Sequence, residues 1–170
     1  MTFIFSIQQM YYNGLCIFGL MPKGFGIIEF NLSYPGVRLN KRRALKDFIF
    51  AMFKAENKMA DYISITFLSD RALLKMNRAY LNHDYHTDIL TFDLSSTKNL
   101  ISGDIYISVD RVKENAGINA VSFEKELHRV IFHGVLHLLG YRDKTSRQVN
   151  LMRLKEDYNL SKYFVSRETK

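Results

Sequence analysis

The stretch FEKELHRVIFHGVLHLL, residues 123–139, limits the possible folds more than any other part of the chain. Val130, Ile131, Phe132, Val135, Leu136, Leu138 and Leu139 put apolar side chains nearly all round one helix. A helix of that kind runs through the middle of a domain, with other elements packed on most of its sides. It also carries His133 and His137. Residues four apart on an α-helix differ by about 40° around the axis, so the two imidazoles point the same way, one turn apart.

Five histidines make ten pairs, so a spacing of four arises by chance in about one such chain in ten. The apolar setting argues against chance, because each buried imidazole must find partners or cost roughly 1–3 kcal/mol. A shared metal ion satisfies both rings at once, with Zn–N near 2.0–2.1 Å. Separate hydrogen bonds are the plainer alternative. A third ligand must come from beyond the helix end. Gly140 suits the left-handed residue that ends helices, and six residues after His137 lies Asp143. His133, His137 and Asp143 make a chemically sound set of three for one Zn²⁺. Asp143 can instead cap the last helix, and then His83, His86 or His128 must supply the third ligand. His128 lies about 140° round the helix from His133 and faces elsewhere. Position 134, where a zinc peptidase of the H-E-x-x-H type keeps its glutamate, is Gly134, which argues against a peptidase.

The other segments supply a sheet and its covering helices. Residues 26–32 (GIIEFNL), 62–69, 87–95 and 103–110 have strand patterns, the last two joined as a hairpin. Asn40 is placed to cap a helix reaching about Glu56, with Leu45, Phe48, Ile49, Met52 and Phe53 on one face. Lys41, Arg42, Arg43 and Lys46 form a compact basic cluster on its exposed face, for which a solvated helix face is the ordinary reading. Ser69 or Asp70 caps a short helix carrying Leu73, Leu74, Met76 and Tyr80. A short helical stretch follows Asp110, and a last helix runs from Thr145 to about Tyr158, with Val149, Met152 and Leu154 buried. The expected fold is a single α+β domain over 26–170: a small mixed sheet of about four strands covered by helices, with the metal site on the central helix and the following turn.

Cys16 is the one cysteine among 170 residues, which excludes an internal disulfide and a cysteine-based zinc cluster and suits a reducing cytosol. A net charge of +7 makes a polyanion a reasonable partner. Residues 1–20 are apolar and uncharged, but Gln8-Gln9 and Asn13-Gly14 break the run, so neither a signal peptide nor a membrane span is expected. Residues 1–25 read as an N-terminal appendage, with Met21 as a possible true start.

The run His133-Gly134-Val135-Leu136-His137-Leu138-Leu139-Gly140-Tyr141-Arg142-Asp143 resembles the signature H-G-x-L-H-L-x-G-Y-D-H of the YbeY endoribonucleases, bacterial ribosomal RNA maturation factors. MNRAYLNHDYHTDILTF (76–92) and GDIYISVDRVKENA (103–116) look like two further segments of that family. The resemblance implies a small α+β domain with one zinc held by three histidines. Here the third falls on Asp143, which keeps a ligand-capable side chain at the same spacing. It also implies a cytoplasmic, metal-dependent endoribonuclease acting on single-stranded RNA in small-subunit rRNA 3′ end processing and ribosome quality control. The family commonly has an arginine where this chain has Leu81, so the general acid and base are unassigned; Arg78, His83 and His86 are the nearby substitutes. The rival reading is a non-catalytic ribosome-assembly factor with a structural zinc.

Overall fold

The computed structural model describes residues 26–168, with side chains through residue 165; the expected appendage over 1–25 lies outside the described residues. Its elements run β1 (Ile27–Leu32), α1 (Arg42–Ala55), β2 (Met59–Leu68), α2 (Asp70–Leu81), β3 (Ile89–Asp93), β4 (Leu100–Ser108), α3 (Val109–Ile118), α4 (Phe123–Leu138) and α5 (Ser146–Glu168). The four strands form one mixed sheet in the order β1-β2-β4-β3. β1 pairs with β2, and β2 with β4, in parallel, whereas β3 and β4 form the expected antiparallel hairpin.

Strand alternation sorts the two faces of the sheet. Ile63, Ile65 and Phe67 of β2, with Ile101, Ile105 and Ile107 of β4, are buried on one face. There α4 lies across β3 and β4, and α1 and α5 pack beside it. Phe48 of α1 touches the rings of both Phe132 of α4 and Tyr163 of α5, with centroids 5.2 Å apart in each case. On the other face Tyr80 of α2 meets Phe92 of β3. The α+β architecture expected from the sequence is therefore the one observed. Among the described residues, no helix is long and apolar enough to cross a membrane.

α4 is the central helix that its composition demands. Ser122 caps it by accepting a hydrogen bond from the Lys125 amide, and Glu124 and Glu126 occupy the first turn, where the helix dipole favours acids. A Cβ built on Gly134 would lie 2.8 Å from Ile89 Cδ1 and 2.9 Å from Ile105 Cγ2. Position 134 thus presses directly on the sheet, and a glutamate there would point into the core rather than toward the neighbouring histidines.

Three local expectations need correction. α1 begins at Arg42, not under an Asn40 cap: Lys41 occupies the N-cap position at φ 50° with no side-chain cap. α5 runs well past Tyr158, to Glu168. Leu154 is 68% exposed, because the buried face of α5 carries Met152, Glu156, Asn159, Leu160 and Tyr163, which follow the i, i+3, i+4 pattern of a helix and leave position 154 outside it.

The chain after α4 is clasped to the end of α1. Tyr141 donates its hydroxyl to Glu56 Oε1 at 2.7 Å, Lys155 Nζ reaches the same oxygen at 2.9 Å, and Lys58 Nζ donates to the Leu139 carbonyl at 2.8 Å. The Lys155 and Tyr141 hydrogen bonds hold the Glu56 carboxyl below its ordinary pKa. A carboxyl lowered in the folded state contributes stability above its unfolded value and loses it as pH falls through the folded value. Glu56→Gln is therefore expected to cost about 1 kcal/mol near neutral pH, discounted for partial exposure, with the gap to the parent closing in acid when urea unfolding is followed against pH. Gly134→Glu, which recreates the peptidase glutamate, is expected to lose at least several kcal/mol in the same assay by burying an unpaired carboxylate against Ile89 and Ile105.

Candidate metal centre

The C-terminal half of α4 presents His133 and His137 side by side, with perpendicular rings whose centroids are 4.4 Å apart. Each Nδ1 already has an acceptor. His133 Nδ1 lies 2.7 Å from Glu156 Oε1, and His137 Nδ1 lies 3.0 Å from the Tyr141 carbonyl oxygen. Those acceptors place a proton on each Nδ1, which leaves Nε2 of a neutral ring with a bare lone pair. The two Nε2 atoms face each other across 2.9 Å. Two lone pairs at that distance repel unless a cation, either a proton or a metal ion, lies against both.

The helix end supplies the third donor. Gly140 takes φ 100°, its amide bonds the His137 carbonyl, and the Tyr141 amide bonds the Leu136 carbonyl. This pair of bonds is the Schellman closure, which turns the chain back along the helix. Asp143 Oδ2 then lies 3.8 Å from His133 Nε2 and 3.6 Å from His137 Nε2. Asp143 does not cap α5. Thr145 does so, accepting from the Gln148 amide, while Gln148 Oε1 accepts from the Thr145 amide in a reciprocal capping box.

The three donor atoms lie within 4.8 Å of one another, so this group can hold a metal ion. A tetrahedral ion with bonds of 2.0–2.2 Å needs ligand atoms about 3.4 Å apart, and the observed separations of 2.9, 3.6 and 3.8 Å bracket that value. Burial disfavours charge on both rings. At His133 the Glu156 hydrogen bond and the charges of Glu156, Asp88 and Asp143 outweigh burial and raise the pKa. At His137 burial, followed by the charge of His133, lowers it. Arg129 in turn braces Glu156 at 3.3 Å and Asp157 at 2.8 Å.

The remaining histidines go elsewhere. His128 is 1% exposed and stacks on Tyr163 with centroids 4.9 Å apart. His83 meets the Tyr85 hydroxyl, His86 pairs with Asp70 at 2.7 Å, and Arg78 pairs with Asp84. Leu81 is 41% exposed at the end of α2. Sequence reasoning missed Glu156 and the Tyr141 carbonyl. The signal for Glu156 was a carboxylate on the apolar register Met152–Leu160–Tyr163, which a reading centred on Leu154 conceals. A backbone carbonyl leaves no sequence signal.

Comparison with known proteins gives the chain a family. The family model described as Endoribonuclease YbeY matches residues 36–164. Endoribonuclease YbeY of Cytophaga hutchinsonii is 47% identical over 124 residues, covering 73% of this chain and 87% of that protein. Endoribonuclease YbeY of Flavobacterium johnsoniae is 45% identical over 127 residues, covering 75% and 91%. The solution structure of TM1509 from Thermotoga maritima superposes with a TM-score of 0.58 at 27% identity, covering 84% of this chain and 93% of that one. With the match spanning both histidines, Asp143 and three of the four strands, the chain belongs to the YbeY endoribonuclease family.

Proposed function

We propose that this protein is a zinc-dependent endoribonuclease that cuts single-stranded RNA during ribosomal RNA maturation in the cytoplasm, at the small-subunit 3′ end and in ribosome quality control. The observation that carries the reading is the convergence of His133 Nε2, His137 Nε2 and Asp143 Oδ2 in a chain whose relatives are endoribonucleases. One Zn²⁺ held there supplies a Lewis acid that lowers the pKa of water toward 7 and offsets charge on phosphate oxygens.

The chain's own residues orient the site. Glu156 and the Tyr141 carbonyl fix both tautomers, the outer-sphere arrangement that metal-binding histidines commonly have. Asp143, its side chain 45% exposed, leaves the centre open on the solvent side, where an RNA strand approaches. Gly134 offers no base, so the proton acceptor is another group or the RNA's own 2′-hydroxyl is the nucleophile. Leu81, where the family commonly has an arginine, favours the second reading, a ribosome-assembly factor whose zinc is structural.

Zinc binding and RNA cleavage test these assignments. Zinc analysis is expected to give one ion per native chain and a loss of zinc in Asp143→Ala; full retention would remove Asp143 from the ligand set. Glu156→Gln is expected to weaken zinc by about 10- to 100-fold with the fold intact. Zinc binding is also expected to fail on acidification, because His133, with its raised pKa, is protonated first and a protonated ring cannot ligate. Cleavage of single-stranded RNA that stops with chelator and in His137→Ala supports the enzyme. Unchanged rRNA processing in cells carrying His133→Ala leaves only the assembly-factor reading.

A further inference from the structure

The start of α1 carries cations where its own electrostatics disfavour them. A helix N-terminus is the positive end of the dipole and ordinarily takes acids. α1 has no acid in its first turn; Lys41, Arg42 and Arg43 stand there, with Lys46 one turn on. Arg42 donates to the Leu39 carbonyl at 3.4 Å, but among the described residues none of the four has a carboxylate at ion-pairing distance. Asp47 follows Lys46 in the sequence and forms no ion pair with it. These cations therefore do little for the fold.

They do shape a cleft. Arg42, Arg43 and Lys46 line an open depression of about 580 Å³ together with Glu29, Phe30 and Asn31 of the edge strand β1. Phe30 is half-buried, with Lys46 Nζ 5.8 Å from its ring centroid. Glu29, an acid on the wall, is engaged by the Tyr62 hydroxyl at 2.8 Å. Unpaired cations around an aromatic ring form the pattern that tracks a single-stranded backbone and offers a base a stacking surface.

We infer that this cleft is a docking surface for single-stranded RNA, separate from the metal centre, that grips the strand at a distance from the bond being cut. Its identity as an RNA surface, rather than one for another polyanion, rests on the endoribonuclease reading. The separation follows from α1 itself. Its 14 residues span about 20 Å, and at the far end Glu56 holds Tyr141, whose carbonyl holds His137. That length corresponds to about six stacked nucleotides. A shorter RNA reaches one of the two places, and a longer one reaches both.

The test uses the full zinc-loaded protein and a triple variant, Arg42→Ser, Arg43→Ser and Lys46→Ser. Binding is followed by fluorescence anisotropy across a salt series, with one RNA of about 20 nucleotides and one of about four. The variant is expected to bind the long RNA about 10- to 100-fold more weakly at low salt, with a log–log salt slope shallower by about 2 for three lost phosphate contacts. Its rate of cutting the short RNA at saturation, its zinc content and its circular dichroism are expected to match the parent. Parent-like affinity and slope on the long RNA overturn the inference. An equal fall in the rate of cutting both RNAs also overturns it, by placing the cations within the metal centre's own footprint. So does a variant that binds RNA normally but releases anionic phospholipid vesicles, which assigns the surface to membranes. If the parent shows the length dependence and cuts no RNA, the docking surface stands and the nuclease reading fails.

Discussion

The 2.9 Å approach of His133 Nε2 to His137 Nε2, which only a proton or a metal ion lying against both makes favourable, is the constraint on which the rest of this molecule depends. The contact exists because each ring is held from behind, one by a carboxylate on α5 and the other by the carbonyl of the turn that ends α4. Those supports require α5 to pack along α4 and the turn to close tightly, and the turn in turn is clasped to α1 through Glu56 and Lys58. Sheet, helices and clasp therefore serve one local arrangement: two donors that cannot relax apart, and a third that arrives on a loop. The electrostatic cost of that arrangement without a cation is what makes the site receptive to one.

The same packing sets what chemistry the centre can do. Gly134 lies so close to Ile89 and Ile105 that the position beside the first histidine belongs to the core. A general base on this helix next to His133 is sterically excluded, whatever residue is written there. That packing separates this centre from the H-E-x-x-H arrangement, in which the position after the first histidine carries a glutamate. The basic end of α1 belongs to another part of the molecule, and its distance from the centre is fixed by a single rigid helix.

Much of this was legible in the sequence, for definite reasons. The apolar circumference of residues 123–139 forces burial, and two-residue alternation in 62–68 and 103–108 marks strands with one covered face. The four-residue histidine spacing and Gly140 carry the ligand geometry, because helix period and left-handed closure are local properties. What failed depended on tertiary partners. Asn40 has the right chemistry for a cap, but the chain turns through Lys41 and α1 starts at Arg42. Leu154 was read as buried because it is apolar, whereas the register of α5 is set by what α4 offers it, including a histidine that requires a carboxylate at Glu156. Parallel pairing of β2 with β4, across an intervening strand and helix, has no short-range signature at all.

Asp143 differs from its two companions in a way that matters over evolutionary time. The histidines sit within the helix packing, and changing either disturbs α5, the turn or both. Asp143 lies just past the glycine closure and ahead of a cap that uses other residues, with nearly half of its side chain in water. Exchanging one donor type for another at that position displaces no core atom and breaks no hydrogen bond of the turn. The one donor of the three that stands outside the core can therefore be exchanged by a single codon while the architecture stays fixed.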